Sequence, residues 1–229
     1  MAGAVAAVAV PAANGGNDAF TTLLLHCNGS DTATTFLDAS ASGNAVTASG
    51  NAQIDTAQSK FDGASGLLDG SGDYLSLGNS AGWDFGTGDF TIDFWARSNG
   101  AVGVGSGLLT TVVGGVGWGL TFYDATTLLM GNNFGYVADT GGVWTVNSWH
   151  HIAIARSGST LRMYFNGTSG FGFTYGSALN SSGSGLIIGR SQIDYNGDYF
   201  NGWIDEVRVS KGLARWTGAS FTPPTAAYF

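Results

Sequence analysis

Short runs in which apolar and polar residues alternate follow one another along most of the chain. The run "GDYLSLG" places Leu75 and Leu77 on one side of an extended backbone, and "GDFTIDFWARS" alternates in the same way. Residues two apart lie on the same face of a strand. Gly, Asn, Asp and Ser separate the runs, as they do in turns. The pattern predicts many short β-strands from Phe20 onward.

Two further segments refine this prediction. In "WHHIAIARSGSTLRMYFNG", two alternating runs are joined by "RSGST", which predicts a β-hairpin. The last residues, "FTPPTAAYF", contain too much proline for a central strand and predict a tail across the surface. No long amphipathic helix separates the strands, so an all-β sandwich or barrel is expected.

The first eighteen residues, "MAGAVAAVAVPAANGGND", differ from the rest of the chain. They lack the basic start of a signal peptide, and their apolar stretch is too short to span a bilayer. We therefore expect an extended N-terminal arm over residues 1–18. Residues 19–229 are expected to form one domain that includes the C-terminal tail.

Composition and charge exclude several classes of partner. The formal net charge is -8 and only 10% of the residues are charged. Phosphate backbones are bound mainly by Lys and Arg, so neither nucleic acid nor an anionic membrane is an expected partner. Cys27 is the single cysteine, which rules out an internal disulfide and predicts a buried, reduced thiol.

Five segments in this order resemble the laminin-G-like, concanavalin A-like jelly rolls: "FDGASGLLDGSGDYLSLG", "FTIDFWAR", "WHHIAIARSGSTLRMYFNG", "LIIGR" and "FNGWIDEVRVSKGLARW". The resemblance covers roughly residues 20–216 and implies a sandwich of two antiparallel sheets. The ending "KGLARWTGASFTPPTAAYF" also looks like the tail of bacteriophage-encoded proteins. That second resemblance implies a location on the virion surface.

The acidic residues argue against catalysis. Glycosidases of this fold carry two glutamates on one strand, and this chain contains a single glutamate, Glu206. We expect Glu206 to be a surface or rim residue paired with Arg208 on the same strand face. Asp89 and Asp93 share a face, but on an extended strand their Cα atoms lie about 13 Å apart. Glycoside hydrolysis requires only ~5 to 9.5 Å between the two carboxyl groups. A non-enzymatic protein is expected, and a hydrolase or lyase would need two other aspartates brought together by the fold.

Metal ligands are few. His150 and His151 are adjacent on a strand, so they point to opposite faces and are expected to pack in the core or at its rim. The family resemblance implies a structural calcium ion between the first strand and the closing strand, near Asn28 and Asp205. Calcium prefers several oxygen ligands. The alternative is that Asp205 only accepts backbone hydrogen bonds.

Aromatic residues in Gly- and Asp-rich surroundings are candidates for stacking against sugar rings. Large aromatic side chains are more often buried than exposed, so each of them has a structural alternative. The candidate glycan contacts are Trp118, Tyr136, Trp144, Tyr195 and Tyr199.

Two functions agree with these features. The first is a non-enzymatic structural protein of the bacteriophage virion surface, either a capsid decoration subunit or part of a tail or fibre appendage. Its N-terminal arm would dock on a neighbouring subunit, either another virion protein or a second copy in a homo-oligomer. The alternative is a carbohydrate-binding adhesin that recognises glycans of the host surface. The two functions are compatible.

Overall fold

The computed structural model describes residues 16–133, 135–191 and 198–229. This part of the chain contains fifteen β-strands, and its one helical segment is a 3-10 turn at Ala81–Trp83. None of the described segments is a helix with the length and apolarity needed to cross a bilayer. In chain order, strands β1 to β15 are Thr21–Leu25, Val46–Ser49, Gln53–Asp55, Ser65–Asp69, Tyr74–Leu77, Phe90–Ser98, Gly107–Thr110, Trp118–Phe122, Leu128–Asn132, Gly135–Asp139, His150–Ser157, Thr160–Phe165, Thr168–Thr174, Leu186–Ile188 and Asn201–Lys211.

The strands form two antiparallel sheets. The larger sheet has the order β13, β12, β11, β6, β15, β4 and β3, and β1 pairs with the second half of β15. The smaller sheet has the order β10, β9, β8, β7, β14, β5 and β2. The predicted all-β sandwich of two antiparallel sheets is confirmed.

The core lies between the sheets and follows the alternation of the sequence. Phe90, Ile92 and Phe94 of β6 are fully buried in it. The predicted hairpin is present as β11 and β12, which are joined by the two residues between Ser157 and Thr160. Burial of large apolar side chains stabilises each by roughly 1.5–3 kcal/mol, so this shared core holds the sheets together.

The C-terminal tail covers the outer face of the larger sheet, as the sequence predicted. Phe221 donates its amide to the Gly167 carbonyl at 2.8 Å and stacks on Trp216 at 3.9 Å between ring centroids. Trp216 and Tyr228 are both buried. The tail is therefore packed as part of the domain.

The described residues closest to the N-terminus pack against this tail. The amides of Gly16 and Asn17 donate to the carbonyl oxygen of Phe229 at 3.1 and 3.0 Å. Asp18 forms an ion pair with Arg215 at 2.9 Å. Residues 16–18, which the sequence assigned to the arm, thus contact the folded domain. The rest of the arm lies outside the described residues, and its docking stays a prediction.

A layer of buried polar side chains lies between the tail and the larger sheet. Arg208 and Asp93 are both fully buried and paired at 2.9 Å. The Tyr228 hydroxyl donates to Asp93, and His151 lies 3.6 Å from the same carboxylate. Burial opposes the charge of Asp93, but the charge of Arg208, helped by His151, outweighs it and holds the pKa of Asp93 at about 2. The hydrogen bond from Tyr228 to the charged Asp93 therefore connects the tail to the larger sheet.

Glu206 belongs to this layer, and the prediction of a surface or rim residue paired with Arg208 was wrong. The ladder between β15 and β6 shifts between Asp205 and Arg208, and Glu206 has a φ of 51°. This β-bulge removes the simple two-residue relation between Glu206 and Arg208. The carboxylate, 1% exposed, contacts His26 at 2.8 Å and accepts the Tyr228 amide at 2.8 Å. The single glutamate therefore joins the first strand to the tail.

Candidate functional site

Two adjoining hollows open where β8, β9 and β10 form one end of the smaller sheet. Their volumes are about 290 and 510 Å³, and they share Tyr123, Leu129 and Tyr136. We call these two hollows together the tyrosine groove. Small-molecule sites commonly occupy roughly 300–1,000 Å³, so the groove is large enough for a ligand.

Strand register places the groove on the outer face of the sheet. Tyr136 of β10 lies opposite Gly131 of β9, which in turn lies opposite Gly119 of β8. The alternate residues Leu120 and Met130 point into the core. Because two neighbours of Tyr136 are glycines, backbone forms this part of the face and a ligand could approach it closely.

Exposed aromatic rings flank this surface. Tyr123 is 66% exposed and Tyr136 is 60% exposed. The loop beside Tyr123 is held by Asp124, whose Oδ1 accepts the amides of Thr126 and Thr127 at 2.8 and 2.7 Å. These hydrogen bonds lower the pKa of Asp124, so its carboxylate is charged at neutral pH.

The ring of Tyr136 is held by a second carboxylate. A register irregularity between Tyr136 and Ala138 brings Asp139 to the same face, where its Oδ2 accepts the Tyr136 hydroxyl at 2.6 Å. The Gly141 amide donates to Asp139 Oδ1 at 2.9 Å. Burial, and then the hydrogen bond to Asp139, raise the pKa of Tyr136 to about 12. These hydrogen bonds hold the side chains of Tyr136 and Asp139 against each other.

Among the predicted glycan contacts, Tyr136 lines the groove, whereas Trp118 and Trp144 do not. Trp118 is fully buried and donates its ring N–H to the Trp83 carbonyl at 2.9 Å. Trp144 is 4% exposed and donates to the Ser98 hydroxyl at 2.9 Å. Core residues cover both rings, so neither can stack on a sugar.

Of the remaining two candidates, Tyr199 lies away from Tyr136. Tyr199 is partly buried and borders a separate hollow of about 300 Å³ with Asp198. The Arg190 guanidinium lies 5.3 Å from the ring centre of Tyr74 and 5.5 Å from that of Tyr199. Tyr195 falls outside the described residues. The five predicted contacts therefore do not form one site.

Sequence analysis did not identify Tyr123, Asp124 and Asp139, although the alternation around Tyr123 indicates that this residue faces outward. In "GWGLTFYD", Tyr123 follows the core residue Phe122 and continues the outward-facing series of Gly119 and Thr121. No comparable signal announces Asp139, because its position depends on the irregularity in β10.

At the predicted calcium site, Asp205 and Asn28 each contact other groups of the protein. Asp205 is fully buried, and its Oδ2 accepts the amides of Lys60 and Phe61 at 3.0 and 3.2 Å. Asn28 is exposed and points its amide at Asp62 at 3.4 Å. Among residues 16–133, 135–191 and 198–229, no group of three or more His, Cys, Asp or Glu side chains could hold a metal. The geometry matches the alternative of backbone hydrogen bonds, and calcium stays an untested prediction.

Other chemically active side chains serve the fold. Asp89 accepts the Gly158 amide at 2.7 Å, away from the buried Asp93. His150 packs against Trp144 at 4.7 Å between ring centroids, and His151 is enclosed on the opposite face of β11. Desolvation raises the pKa of the buried Cys27 thiol and keeps it protonated.

Comparisons with solved structures give the same fold. A structure of botulinum neurotoxin type C, whose cell entry depends on interaction with two ganglioside molecules, has a TM-score of 0.66 at 18% identity; the match covers 85% of this chain and 49% of that one. The binding domain of Paraclostridial Mosquitocidal Protein 1 has a TM-score of 0.62 at 18% identity, over 85% and 50% of the chains. Our chain thus spans about half the length of these toxin domains.

A third structure matches over nearly its full length. It is domain 4 of AbnA, a GH43 extracellular arabinanase from Geobacillus stearothermophilus, in complex with arabinotriose. Its TM-score is 0.62 at 15% identity, and the match covers 85% of this chain and 93% of that chain. These structural neighbours are mainly binding domains.

Comparison with curated proteins finds no match. The family model described as the concanavalin A-like lectin/glucanases superfamily matches residues 69–215, which is more than half of the sequence. The chain belongs to the concanavalin A-like lectin/glucanases superfamily.

Proposed function

We propose that this domain is a non-catalytic carbohydrate-binding module and that the tyrosine groove is its binding site. The observation that carries the proposal is the pair of exposed rings, Tyr123 and Tyr136, which border a groove containing two carboxylates. Exposed aromatic rings beside a hollow are unusual for a purely structural surface, because large aromatic side chains are normally buried.

The groove offers the two kinds of contact that a sugar needs. The apolar faces of Tyr123 and Tyr136 can pack against the C–H face of a pyranose or furanose ring. The carboxylates of Asp124 and Asp139 can accept hydrogen bonds from sugar hydroxyls, and charged acceptors form the stronger bonds. The pre-set Tyr136 side chain reduces the entropy lost on binding.

The same carboxylates are poorly suited to hydrolysis. A glycosidase needs a general acid whose pKa is raised, so that it holds a proton at working pH. Hydrogen bonds instead lower the pKa of Asp124. The pKa of Asp205 is raised to about 8, but this residue is buried in β15, where it accepts the amides of Lys60 and Phe61. These properties support binding without catalysis.

The comparisons support the same proposal. The arabinanase domain was solved with arabinotriose, and the type C neurotoxin depends on gangliosides, so related folds bind sugars in both cases. A similar fold alone does not establish a function, which is why the proposal depends on the groove.

Glycan-array binding followed by calorimetry tests the proposal on the full-length protein. The double variant Tyr123→Ala with Tyr136→Ala should lose affinity by about tenfold or more, since aromatic anchors dominate binding energy. The matched control is Phe229→Ala, which removes an aromatic ring that is 85% exposed and outside the groove. Unchanged affinity in the double variant, with both proteins folded by circular dichroism, would contradict the proposed site.

The bacteriophage origin, the virion-surface location and the docking of the arm stay predictions. Light scattering of the full chain beside a form lacking residues 1–15 tests the docking of the arm. The cut falls before Gly16 because that residue already contacts Phe229. A change from oligomer to folded monomer would assign assembly to the arm.

A further inference from the structure

The tyrosine groove contains acidic side chains as well as aromatic rings. Asp124 and Asp139 line the same hollow, and none of the described residues that line the groove is Lys, Arg or His. From this arrangement we infer that the groove selects neutral glycans and discriminates against sialylated, sulfated or uronate-bearing ones. The inference rests on the proposed function and names its ligand class.

Each of the eight Lys and Arg residues of the chain contacts groups outside the tyrosine groove. Arg208 and Arg215 pair with aspartates, and Lys60 and Arg97 lie over tryptophan rings at 3.8 and 4.9 Å. Arg156, Arg162 and Lys211 donate to backbone carbonyls, and Arg190 lies over two tyrosines. The eight are Lys60, Arg97, Arg156, Arg162, Arg190, Arg208, Lys211 and Arg215.

An anionic glycan would therefore meet like charge without a counter-ion. Recognition of a carboxylate or sulfate normally uses Arg or Lys, which donate charge-assisted hydrogen bonds. Here Asp139 is already bonded to the Tyr136 hydroxyl, and both carboxylates can only accept hydrogen bonds when ionised. The net charge of -8 adds repulsion at long range.

Neutral sugars meet the opposite situation. Each hydroxyl can donate to Asp124 or Asp139, and the sugar ring can cover Tyr123 or Tyr136 without placing a charge in the groove. Asp124 Oδ1 holds its own loop, and the partly exposed carboxylate can accept a further hydrogen bond from a ligand. The groove thus favours a neutral oligosaccharide by both stacking and hydrogen bonding.

Matched pairs of probes test this inference on the full-length protein. They are N-acetyllactosamine with its sialylated form, galactotriose with trigalacturonic acid, and cellotriose with its sulfated form, beside arabinotriose. We expect binding to be confined to neutral probes, with each anionic partner at least about tenfold weaker at low salt. The difference should shrink as salt is added, because exposed charges are screened.

A charge variant provides the specific control. Asp124→Asn keeps an oxygen for the loop and removes one charge, so the ratio of neutral to anionic affinity should fall several-fold. Asp62→Asn removes the same charge from an exposed residue outside the groove and should leave the ratio unchanged. An effect as large in Asp62→Asn would overturn the local explanation.

The remaining outcomes separate this inference from the proposed function. If the anionic probes bind as tightly as their neutral partners and the double tyrosine variant abolishes binding, the inferred selectivity is wrong, but the groove is still the binding site. If no probe binds, or if the double tyrosine variant binds normally, the proposed function fails and the inference fails with it.

Discussion

Replacing Asp205 by asparagine should stabilise the domain at neutral pH. The carboxyl group is fully buried, and its Oδ1 has no hydrogen-bond partner in the described part of the chain. Burial is the largest effect on this group and raises its pKa from 3.8 to about 8, against the amides of Phe61 and Lys60, which lower it. The change Asp205→Asn keeps a carbonyl oxygen for both amides and removes the proton equilibrium.

The sign and size follow from the two pKa values. An unfolded Asp loses its proton above about pH 3.8, whereas the folded protein holds it until about pH 8. Between these values the folded state binds more protons, so stability falls by about 1.4 kcal/mol per pH unit as the pH rises. At pH 7 the accumulated cost is on the order of 4 kcal/mol, and the asparagine variant avoids it.

Urea unfolding of both proteins at pH 5, 6, 7 and 8 measures this cost. The stability difference between variant and native protein should grow with pH, and Asp62→Asn, which removes the charge of an exposed acid, is the control for the loss of one negative charge. Calcium would reverse the result, because a bound ion needs an ionised carboxylate. An asparagine variant that is less stable at pH 7, together with a native melting temperature lowered by EDTA, would refute the argument and support the ion.

Two more predictions concern the buried polar layer. Arg208→Met should destabilise the domain by about 3–5 kcal/mol, because it leaves the Asp93 carboxylate buried without its partner, and adding Asp93→Leu should recover much of the loss; urea unfolding of the three proteins measures this. Glu206→Gln should lower the pKa of His26, which is raised chiefly by the hydrogen bond to Glu206, as an NMR titration would show. Because that pKa is raised, the stabilisation by His26 is present below about pH 6.5 and is lost as the pH rises through the folded value, so the variant should lose stability mainly at low pH.

The sequence predicts the strands because burial repeats every second residue. In β6, Phe90, Ile92 and Phe94 face the core as their spacing indicates. It does not predict the bulge at Glu206, since the left-handed conformation there is imposed by the ladders on either side of β15. The extra residue of the bulge places Glu206 against His26, whereas the two-residue spacing had predicted a contact with Arg208.

The candidate site was harder to predict than the fold. Surroundings rich in glycine suggested that Trp118 is exposed, yet it alternates with Leu120 and Phe122 and shares their burial. The groove itself requires three strands in register and the irregularity that brings Asp139 beside Tyr136. Such long-range register is not encoded in any single segment of the sequence.

The position of the groove follows from what the rest of the chain does. The tail and the layer around Glu206 and Arg208 cover part of the outer face of the larger sheet, where Trp216 and Phe221 pack on Ala153 and Tyr164. The buried Arg208 and Arg215 pair with Asp93 and Asp18 in this region. At the end of the smaller sheet, Tyr123 and Tyr136 are exposed beside two carboxylates, and no Lys or Arg is among the described residues that line this groove. The proposed preference for neutral sugars follows from this absence of Lys and Arg among the described residues of the groove.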